Sequence, residues 1–267
     1  MSRLTFKNLL IGELSWARLG RSLLFIYAAF ALYVFLQSDR MIFLPPTASY
    51  QNSKDVLKVA VTPTERIAAL YLPNPAAAYT VLYIHGNAED LGDIRPFLDR
   101  LHSWGFSVFA YDYRGYGLSE GHPGEQNAYQ EAEAAYNYLT TTLKIPAAKV
   151  IVYGRSVGGG SATELAMRHS VAGLILESTF TSAFRVVVPF PLLPFDKFAN
   201  LEKLPKVRSP VLVMHGEADE IIPIQHGQKL YEAAPDPKMF LCVARHSFLD
   251  LMSNVGSNFL TASDRII

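Results

Sequence analysis

The stretch Val150-Ile-Val-Tyr-Gly-Arg-Ser-Val-Gly-Gly-Gly160 decides how the rest of the sequence is interpreted. A strand pattern precedes Ser156 directly, a helix pattern follows it directly, and Gly154 and Gly158 complete a Gly-x-Ser-x-Gly motif. A sharp strand-to-helix turn holds such a serine in strained geometry with its hydroxyl exposed, and bulky side chains two residues to either side would clash. The stretch therefore predicts a nucleophile elbow with Ser156 as the nucleophile. The alternative is a glycine-rich turn that only packs a helix on a sheet; a phosphate loop is disfavoured because no Gly-Lys-Ser/Thr follows.

Short apolar runs alternate with amphipathic helical stretches along the rest of the chain. The predicted strands are Val56–Val61, Arg66–Leu72, Val81–His85, Ser107–Asp112, Lys149–Tyr153, Gly173–Glu177, Pro210–His215 and Lys238–Val243. The predicted helices are Ile94–Trp104, Glu125–Leu143, Val157–His169 and Gln225–Ala234. This alternation predicts an α/β fold, a mostly parallel eight-stranded sheet with helices on both faces. The first two strands lack a helix between them, so they are predicted to form a hairpin with its turn at Thr62–Glu65.

A serine nucleophile needs an acid that orients its base, and in this kind of fold the acid follows the serine in the chain. Asp219 lies just beyond the strand that ends at His215, where open parallel sheets place their sites. Glu217 is too close to the strand end, and Glu220 should point away from Asp219. Asp219 is thus the predicted acid; the alternative is a residue that caps the following helix.

His246 is the predicted base because it follows the last predicted strand, in Ala244-Arg-His-Ser-Phe-Leu249. The alternative is a loop histidine without a partner. His226 falls in the first turn of the helix after Asp219, which suggests a structural role. Three further histidines are expected away from the catalytic edge of the sheet: His102, His122 and His169.

Two backbone N–H groups are predicted to form the oxyanion hole. One belongs to Asn87, in His85-Gly-Asn-Ala-Glu-Asp90 after a strand, and the other to Val157, the residue after the nucleophile. Neither role needs the side chain. A tight turn at His85-Gly86 is compatible with this role.

The N-terminal region contains an uncharged run from Ser22 to Ser38. As a helix over residues 22–38 it would form a membrane anchor within residues 1–45, ahead of a single domain over residues 46–267. An excess of positive charge before the run predicts a cytoplasmic N-terminus, with the domain on the opposite side of the membrane. Three interpretations stay open: a retained signal-anchor, a cleaved signal peptide, and a buried or interfacial helix of a soluble protein.

Composition excludes several functional classes. Lysine plus arginine is 24 and aspartate plus glutamate is 24, so the net charge is 0, and no nucleic-acid partner is expected. The single cysteine, Cys242, excludes an internal disulfide and cysteine-rich metal sites. No cofactor or metal is expected.

These motifs together resemble the α/β-hydrolase superfamily, and more narrowly the membrane-anchored hydrolases that include protein depalmitoylases and bacterial serine aminopeptidase-like enzymes. The resemblance covers residues of about 40 to 250. The matching stretches are Arg40–Pro46, His85–Asp90, Asp112–Gly121, Gly154–Gly160, Glu177–Ser182, Phe198–Lys203, His215–Pro223 and His226–Tyr231. It implies a serine hydrolase that cleaves acyl esters or thioesters of a lipid or an acylated protein. Peptide or amide hydrolysis is the alternative within the class, and a non-catalytic lipid- or partner-binding protein is the alternative outside it.

The sequence departs from this family beside the base. Relatives usually have glycines before the histidine, whereas this chain has Arg245. The positive charge of Arg245 would disfavour the charged imidazolium of His246. Alternatively, the Arg245 side chain faces solvent or holds a substrate carboxylate. Residues 178–209 take the place of a small cap. Its aromatic residues, Phe180 and Phe184 among them, are candidates for contact with an acyl chain, or they bury one another over the sheet.

Overall fold

The computed structural model describes residues 16–243. The chain divides into two units, and the boundary between them along the sequence lies between Met41 and Ile42. In the first unit, helix α1 spans Trp16–Ile42, 27 residues, and so extends beyond the predicted 22–38 at both ends. At 1.5 Å per residue it is about 40 Å long, which exceeds the ~30 Å hydrocarbon core of a bilayer. Within the described part of the chain, it is the helix that is long and apolar enough to cross a membrane.

The second unit is built on an eight-stranded sheet with the order β1-β2-β4-β3-β5-β6-β7-β8. The strands are β1 Val56–Ala60, β2 Arg66–Leu72, β3 Thr80–Ile84, β4 Ser107–Tyr111, β5 Val150–Arg155, β6 Gly173–Glu177, β7 Val211–Gly216 and β8 Lys238–Val243. All six strands from β3 to β8 pair in parallel, and β1 and β2 form the predicted antiparallel hairpin. The predicted mostly parallel sheet is confirmed.

Helices cover both faces of the sheet because successive strand residues point to opposite sides. The helices of this unit are α2 Arg95–Ser103, α3 Glu125–Asn137, α4 Gly158–Arg168, α5 Asn200–Lys203 and α6 Gln225–Ala233. In β3, Leu82 and Ile84 join the buried apolar cluster that includes residues of α3, α4 and α6, whereas Val81 and Tyr83 join the cluster that includes residues of α2.

The predicted helix over Glu125–Leu143 is shorter in its α-helical part. Helix α3 ends at Asn137, and a π-helical turn over Tyr138–Thr142 follows. The Thr140 hydroxyl donates to the Tyr136 carbonyl at 3.0 Å, and the Leu143 N–H reaches five residues back to Tyr138 at 3.0 Å. Threonine hydroxyls that bond to helix carbonyls compete with the regular ladder, which explains the wider turn here.

The segment over residues 178–209 is mostly irregular. Its regular parts are short, a 3₁₀ turn at Phe184–Val186, helix α5 and a 3₁₀ turn at Leu204–Lys206. It follows β6 and leads into β7, so it leaves and rejoins the sheet between two adjacent parallel strands.

Arg114 fixes the loop after β4 to its surroundings. Its guanidinium donates to Glu65 in the hairpin at 2.7 Å, and to Gln130 and Glu131 of α3 at 2.8 Å each. Glu131 is fully buried, and its Oε2 has no hydrogen-bond partner among the described residues. Burial raises the pKa of Glu131 to about 7, although Arg114 opposes the shift.

This raised pKa predicts a pH-dependent loss of stability. Because folded Glu131 holds its proton more tightly than the unfolded chain does, its contribution is fully present below about pH 4.5 and is lost as the pH rises through about 7. Glu131→Gln keeps an acceptor for Arg114 but does not titrate. The free energy of unfolding of the wild type, relative to Glu131→Gln, is therefore expected to fall between about pH 5 and pH 8 in urea titrations of the full chain in detergent. Parallel pH profiles for the two proteins would contradict this account.

Candidate active site

Ser156 lies in a strained turn between β5 and α4. Its φ is +52°, a left-handed conformation that non-glycine residues adopt rarely. The Ser156 N–H donates to the Glu177 carbonyl at 2.9 Å, and its own carbonyl accepts the Thr179 hydroxyl at 2.6 Å and the Gly159 N–H at 3.0 Å. These bonds hold the strained backbone in place, and the side chain stays partly exposed.

The two glycines of the motif allow α4 to approach the sheet closely. A Cβ on Gly154 would lie 2.5 Å from the Gly158 carbonyl oxygen and 2.6 Å from the Ala162 Cβ. A Cβ on Gly158 would lie 2.2 Å from the Ile84 carbonyl oxygen. The steric reason for Gly-x-Ser-x-Gly therefore holds in this turn.

The loop Gly86–Glu89, here called the oxyanion loop after its predicted role, lies against Ser156, the predicted nucleophile. A Cβ on Gly86 would be 3.5 Å from the Ser156 Cβ. The Gly86 N–H donates to the Glu89 carboxylate at 2.6 Å, and the Ala88 N–H donates to the Asn87 side chain at 3.0 Å. Two of the loop's donors are thus engaged within the loop itself.

The N–H groups of Asn87 and Val157 have no acceptor among residues 16–243. Their neighbours Gly86, Ala88 and Ser156 all donate to one. An unpaired backbone N–H is rare in a folded protein unless water or a ligand accepts it. The two predicted oxyanion donors are therefore available to a substrate oxygen.

Asp219 is held in the turn after β7. Its Oδ1 accepts the N–H groups of Ile221 at 3.0 Å and Ile222 at 2.9 Å, and its Oδ2 lies 3.7 Å from the Nε2 of His215. The side chain is 18% exposed. Helix α6 begins only at Gln225, so the carboxylate bonds the turn before the helix rather than the helix itself.

Parallel pairing brings the ends of β3, β5, β6, β7 and β8 to one edge. Ile84 pairs with Gly154, Arg155 with Glu177, and Gly216 with Val243. Burial raises the pKa of the Glu177 carboxyl, and the negative charges of Glu89 and Asp219 add to this shift.

The predicted base, His246, and its neighbour Arg245 lie outside the described residues. Both follow Val243, the last residue of β8, which ends at the same edge as the elbow.

A charged network that the sequence analysis missed lies beside the elbow. The Arg155 guanidinium donates to the Glu89 carboxylate at 3.0 Å, and the Tyr153 hydroxyl donates to the Glu177 carboxylate at 2.6 Å. Burial raises the pKa of Glu177, and the positive charge of Arg155 opposes the shift. Glu89 and Arg155 both lie in motifs that the sequence analysis used. Their ion pair depends on the parallel pairing of β3 with β5, two strands that are neighbours in the fold but distant in the sequence.

The two cap residues that are candidates for contact with an acyl chain pack against other aromatic side chains of the protein. Phe180 is 5% exposed and its ring lies 6.4 Å from that of Phe198, while the rings of Phe184 and Phe195 are 5.9 Å apart. The exposed large apolar side chains of the cap are different ones, Val187, Phe190, Leu192 and Leu201.

Three other histidines, His102, His169 and His226, have partners within the protein. His226 accepts the Thr181 N–H at 3.2 Å, and burial lowers its pKa, helped by Lys229 and His215. It lines a cavity of about 370 Å³ between the cap and α6. His169 lies 2.9 Å from Glu133, and His102 lies 3.2 Å from the Pro73 carbonyl.

No group of three or more His, Cys, Asp or Glu side chains among the described residues could hold a metal ion.

Several known proteins are similar to this chain in sequence. The family model described as serine aminopeptidase, S33, matches residues 75–201. The human alpha/beta hydrolase domain-containing protein 17B is 41% identical over 204 residues, which cover 73% of this chain and 71% of that protein. Alpha/beta hydrolase domain-containing protein aho-3 of Caenorhabditis elegans is 35% identical over 217 residues, 76% of this chain and 64% of that one.

Solved structures with the same fold are more distant in sequence. An esterase from Pyrococcus furiosus superposes with a TM-score of 0.69 at 15% identity, covering 84% of this chain and 97% of the esterase. An alpha-beta hydrolase from Vibrio vulnificus superposes with a TM-score of 0.63 at 22% identity, covering 78% and 81%.

The close approach at the elbow predicts that Gly158→Ala destabilises the protein. The added methyl would lie 2.2 Å from a backbone oxygen of β3, which cannot move away without disturbing the sheet. Overpacking of this kind costs about 1–3 kcal/mol. Gly216→Ala is the matched control, because its methyl would have no contact closer than 3.7 Å. Thermal melts are expected to show a lower Tm for Gly158→Ala than for Gly216→Ala; equal Tm values would be incompatible with the close approach.

Proposed function

Because the chain belongs to the α/β-hydrolase superfamily, and within it to the family of alpha/beta hydrolase domain-containing protein 17B, we propose that it is a serine hydrolase that cleaves acyl ester or thioester bonds. Family membership supports a hydrolase in general. The choice of ester or thioester, and of a covalent acyl-enzyme, is the proposal.

The observation that carries this proposal is the pair of N–H groups at Asn87 and Val157, which have no acceptor among residues 16–243 and lie beside a serine in a strained turn. A tetrahedral intermediate places negative charge on the former carbonyl oxygen, and preorganised donors stabilise that charge. A glycine-rich turn that only packed a helix on the sheet would not need two N–H groups beside its serine that lack an acceptor among the described residues.

In the proposed reaction the Ser156 Oγ attacks the substrate carbonyl while His246 accepts the hydroxyl proton. Asp219 orients the imidazole and stabilises its positive charge. The tetrahedral intermediate collapses as His246 protonates the leaving alcohol or thiol, which leaves an acyl group on Ser156. Water, deprotonated by His246, then attacks the acyl-enzyme and releases the acid.

The cap favours a substrate with an acyl chain, carried by a lipid or an acylated protein. Residues 186–195 contain no charge, and Val187 and Phe190 are 82% and 58% exposed. Apolar side chains beside a catalytic edge suit a hydrocarbon chain more than a charged peptide. Peptide hydrolysis is the second candidate, and the match to a serine aminopeptidase family model favours it.

We further propose that α1 anchors the protein in a membrane as a single span. Leu23, Leu24, Phe25 and Ile26 of this helix are each at least 59% exposed, which is the behaviour of residues that lie in lipid. Arg3, Lys7, Arg18 and Arg21 precede the uncharged run, so the proposed orientation keeps the N-terminus in the cytoplasm and the hydrolase domain on the opposite side.

The serine mechanism predicts that Ser156→Ala abolishes both fluorophosphonate labelling and hydrolysis of p-nitrophenyl octanoate. The matched control is Ser161→Ala, on the helix that follows Ser156, whose buried hydroxyl has no hydrogen-bond partner among the described residues. The control is expected to label and turn over as the wild type does. Equal labelling of the wild type and Ser156→Ala would refute the nucleophile assignment. Faster cleavage of an acyl p-nitroanilide than of the matched p-nitrophenyl ester would favour the peptidase alternative.

The membrane proposal predicts that the full-length chain stays in the membrane pellet after carbonate extraction and is released only by detergent. An apolar segment of this length holds a protein in lipid independently of charge. Release by high salt alone, detected by immunoblot of the supernatant, would contradict a membrane span.

A further inference from the structure

The side chain of Asn87 is bonded to a segment of chain far from it in sequence. Its Nδ2 donates to the Ile42 carbonyl at 2.6 Å, and its Oδ1 accepts the Leu44 N–H at 2.9 Å. The segment Ile42–Leu44, here called the strap, thus meets both ends of the Asn87 amide. Because the Leu44 N–H can only donate and the Ile42 carbonyl can only accept, the orientation of the amide is fixed.

The strap is a rigid partner because Phe43, at its centre, is part of the core. Phe43 is 2% exposed, and its ring lies 5.7 Å from that of Tyr113, 6.4 Å from that of Tyr116 and 6.0 Å from that of Phe198. Aromatic contacts on three sides restrict movement of the backbone atoms on either side of Phe43. Those backbone atoms are the ones that Asn87 contacts.

Tyr116 closes the network from the loop after β4. Its hydroxyl donates to the Asn87 Oδ1 at 2.6 Å and accepts the Leu44 N–H at 2.9 Å. Its ring is fully buried and lies 5.8 Å from that of His85 at the end of β3. The strap, the oxyanion loop and the loop after β4 are therefore joined at one amide group.

This network acts on Asn87 itself, whose backbone N–H has no acceptor among the described residues. Asn87 Oδ1 also accepts the N–H of Ala88, which has a φ of +55°, so one side chain fixes the peptide on the C-terminal side of Asn87. On the other side, Glu89 accepts the Gly86 N–H. The peptide that carries the Asn87 N–H is itself held through its carbonyl, because the Gly86 oxygen lies 2.8 Å from the His85 Nδ1. The Asn87 side chain and the strap act on this peptide from its C-terminal side.

We propose that Asn87 and Tyr116, acting through the strap Ile42–Leu44, position the oxyanion loop for catalysis. This inference rests on the proposed serine hydrolase function. The Asn87 side chain and Tyr116 are positioning groups: they do not touch the substrate, and they hold the Asn87 N–H toward the oxyanion. The last residue of α1 and the two residues after it then help to position the oxyanion loop, and are not a passive connection.

A positioning role and a purely structural role predict changes in different measured quantities when the bonds are removed. Loss of structural bonds lowers the Tm and the amount of folded enzyme. Misdirection of an oxyanion donor lowers kcat and weakens binding of a tetrahedral adduct, while KM stays the same because the ground-state carbonyl uses the donor less.

The test measures kcat, KM, Tm and the inhibition constant of an octyl trifluoromethyl ketone, which forms a tetrahedral adduct with a serine. It uses the full-length chain in detergent with p-nitrophenyl octanoate as substrate. Tyr116→Phe removes one hydroxyl and is expected to lower kcat about tenfold, with Asn87→Ala lower still; removal of a whole oxyanion donor costs on the order of a hundredfold or more. The inhibition constant is expected to rise by a similar factor in each variant, with KM unchanged.

Tyr129→Phe is the matched control. It also removes a phenol hydroxyl from a buried ring, one that donates to Glu125 at 2.7 Å and accepts from Lys203 at 2.7 Å, but it has no bond to the oxyanion loop. Its kcat and inhibition constant are expected to match those of the wild type.

A lower Tm in Tyr116→Phe and Asn87→Ala, with kcat per folded enzyme and the inhibition constant unchanged, would overturn the positioning role. Ser156→Ala, measured in parallel, separates the two levels of the argument. If its activity is lost while the other variants stay unchanged, only the positioning role fails. If Ser156→Ala keeps full activity, the serine mechanism fails and the positioning role fails with it.

Discussion

The close contact between helix α4 and strand β3 is the constraint on which the rest of the structure depends. Gly158 lets the helix lie where a Cβ would be 2.2 Å from the Ile84 carbonyl oxygen, and the turn before it forces Ser156 to a φ of +52°. The serine side chain is then held at the edge of the sheet, beside the oxyanion loop that continues from β3. If the helix were farther from the sheet, the N–H of Val157 and the oxyanion loop would separate.

Strain of this kind persists only when the surroundings determine it. Here the Ser156 N–H is bonded to β6, its carbonyl is bonded to Thr179, and Arg155 on one side is paired with Glu89. The same Glu89 carboxylate accepts the Gly86 N–H. One ion pair therefore connects the strand that leads to Ser156, the proposed nucleophile, to the loop that carries a proposed oxyanion donor. The Asn87 side chain connects that loop to the strap.

Much of the fold could be predicted from the sequence because the decisive signals are local. The apolar runs identified all eight strands within one or two residues, and β2, β6 and β8 have the predicted bounds. The elbow at Ser156 followed from two glycines at fixed spacing. Helix α1 is longer than predicted because Trp16, Arg21 and Arg40 are helical although they lie outside the uncharged run.

Contacts between distant segments could not be read from the same signals. The sequence analysis assigned Asn87 a role for its N–H alone, whereas its side chain bonds to Ile42, Leu44 and Tyr116. The π-helical turn after Asn137 depends on threonine hydroxyls that also suit an ordinary helix end. The predicted triad stays a prediction, because His246 and Arg245 lie outside the described residues.

The central claim is that Ser156 becomes acylated during turnover. Rapid acid quench of the wild type with p-nitrophenyl octanoate, followed by peptide mapping in a mass spectrometer, tests it most directly. The account predicts an octanoyl group on the peptide that contains Ser156, and on that residue within it. Steady turnover with the acyl group on another residue, such as Ser178 or Cys242, would contradict the account.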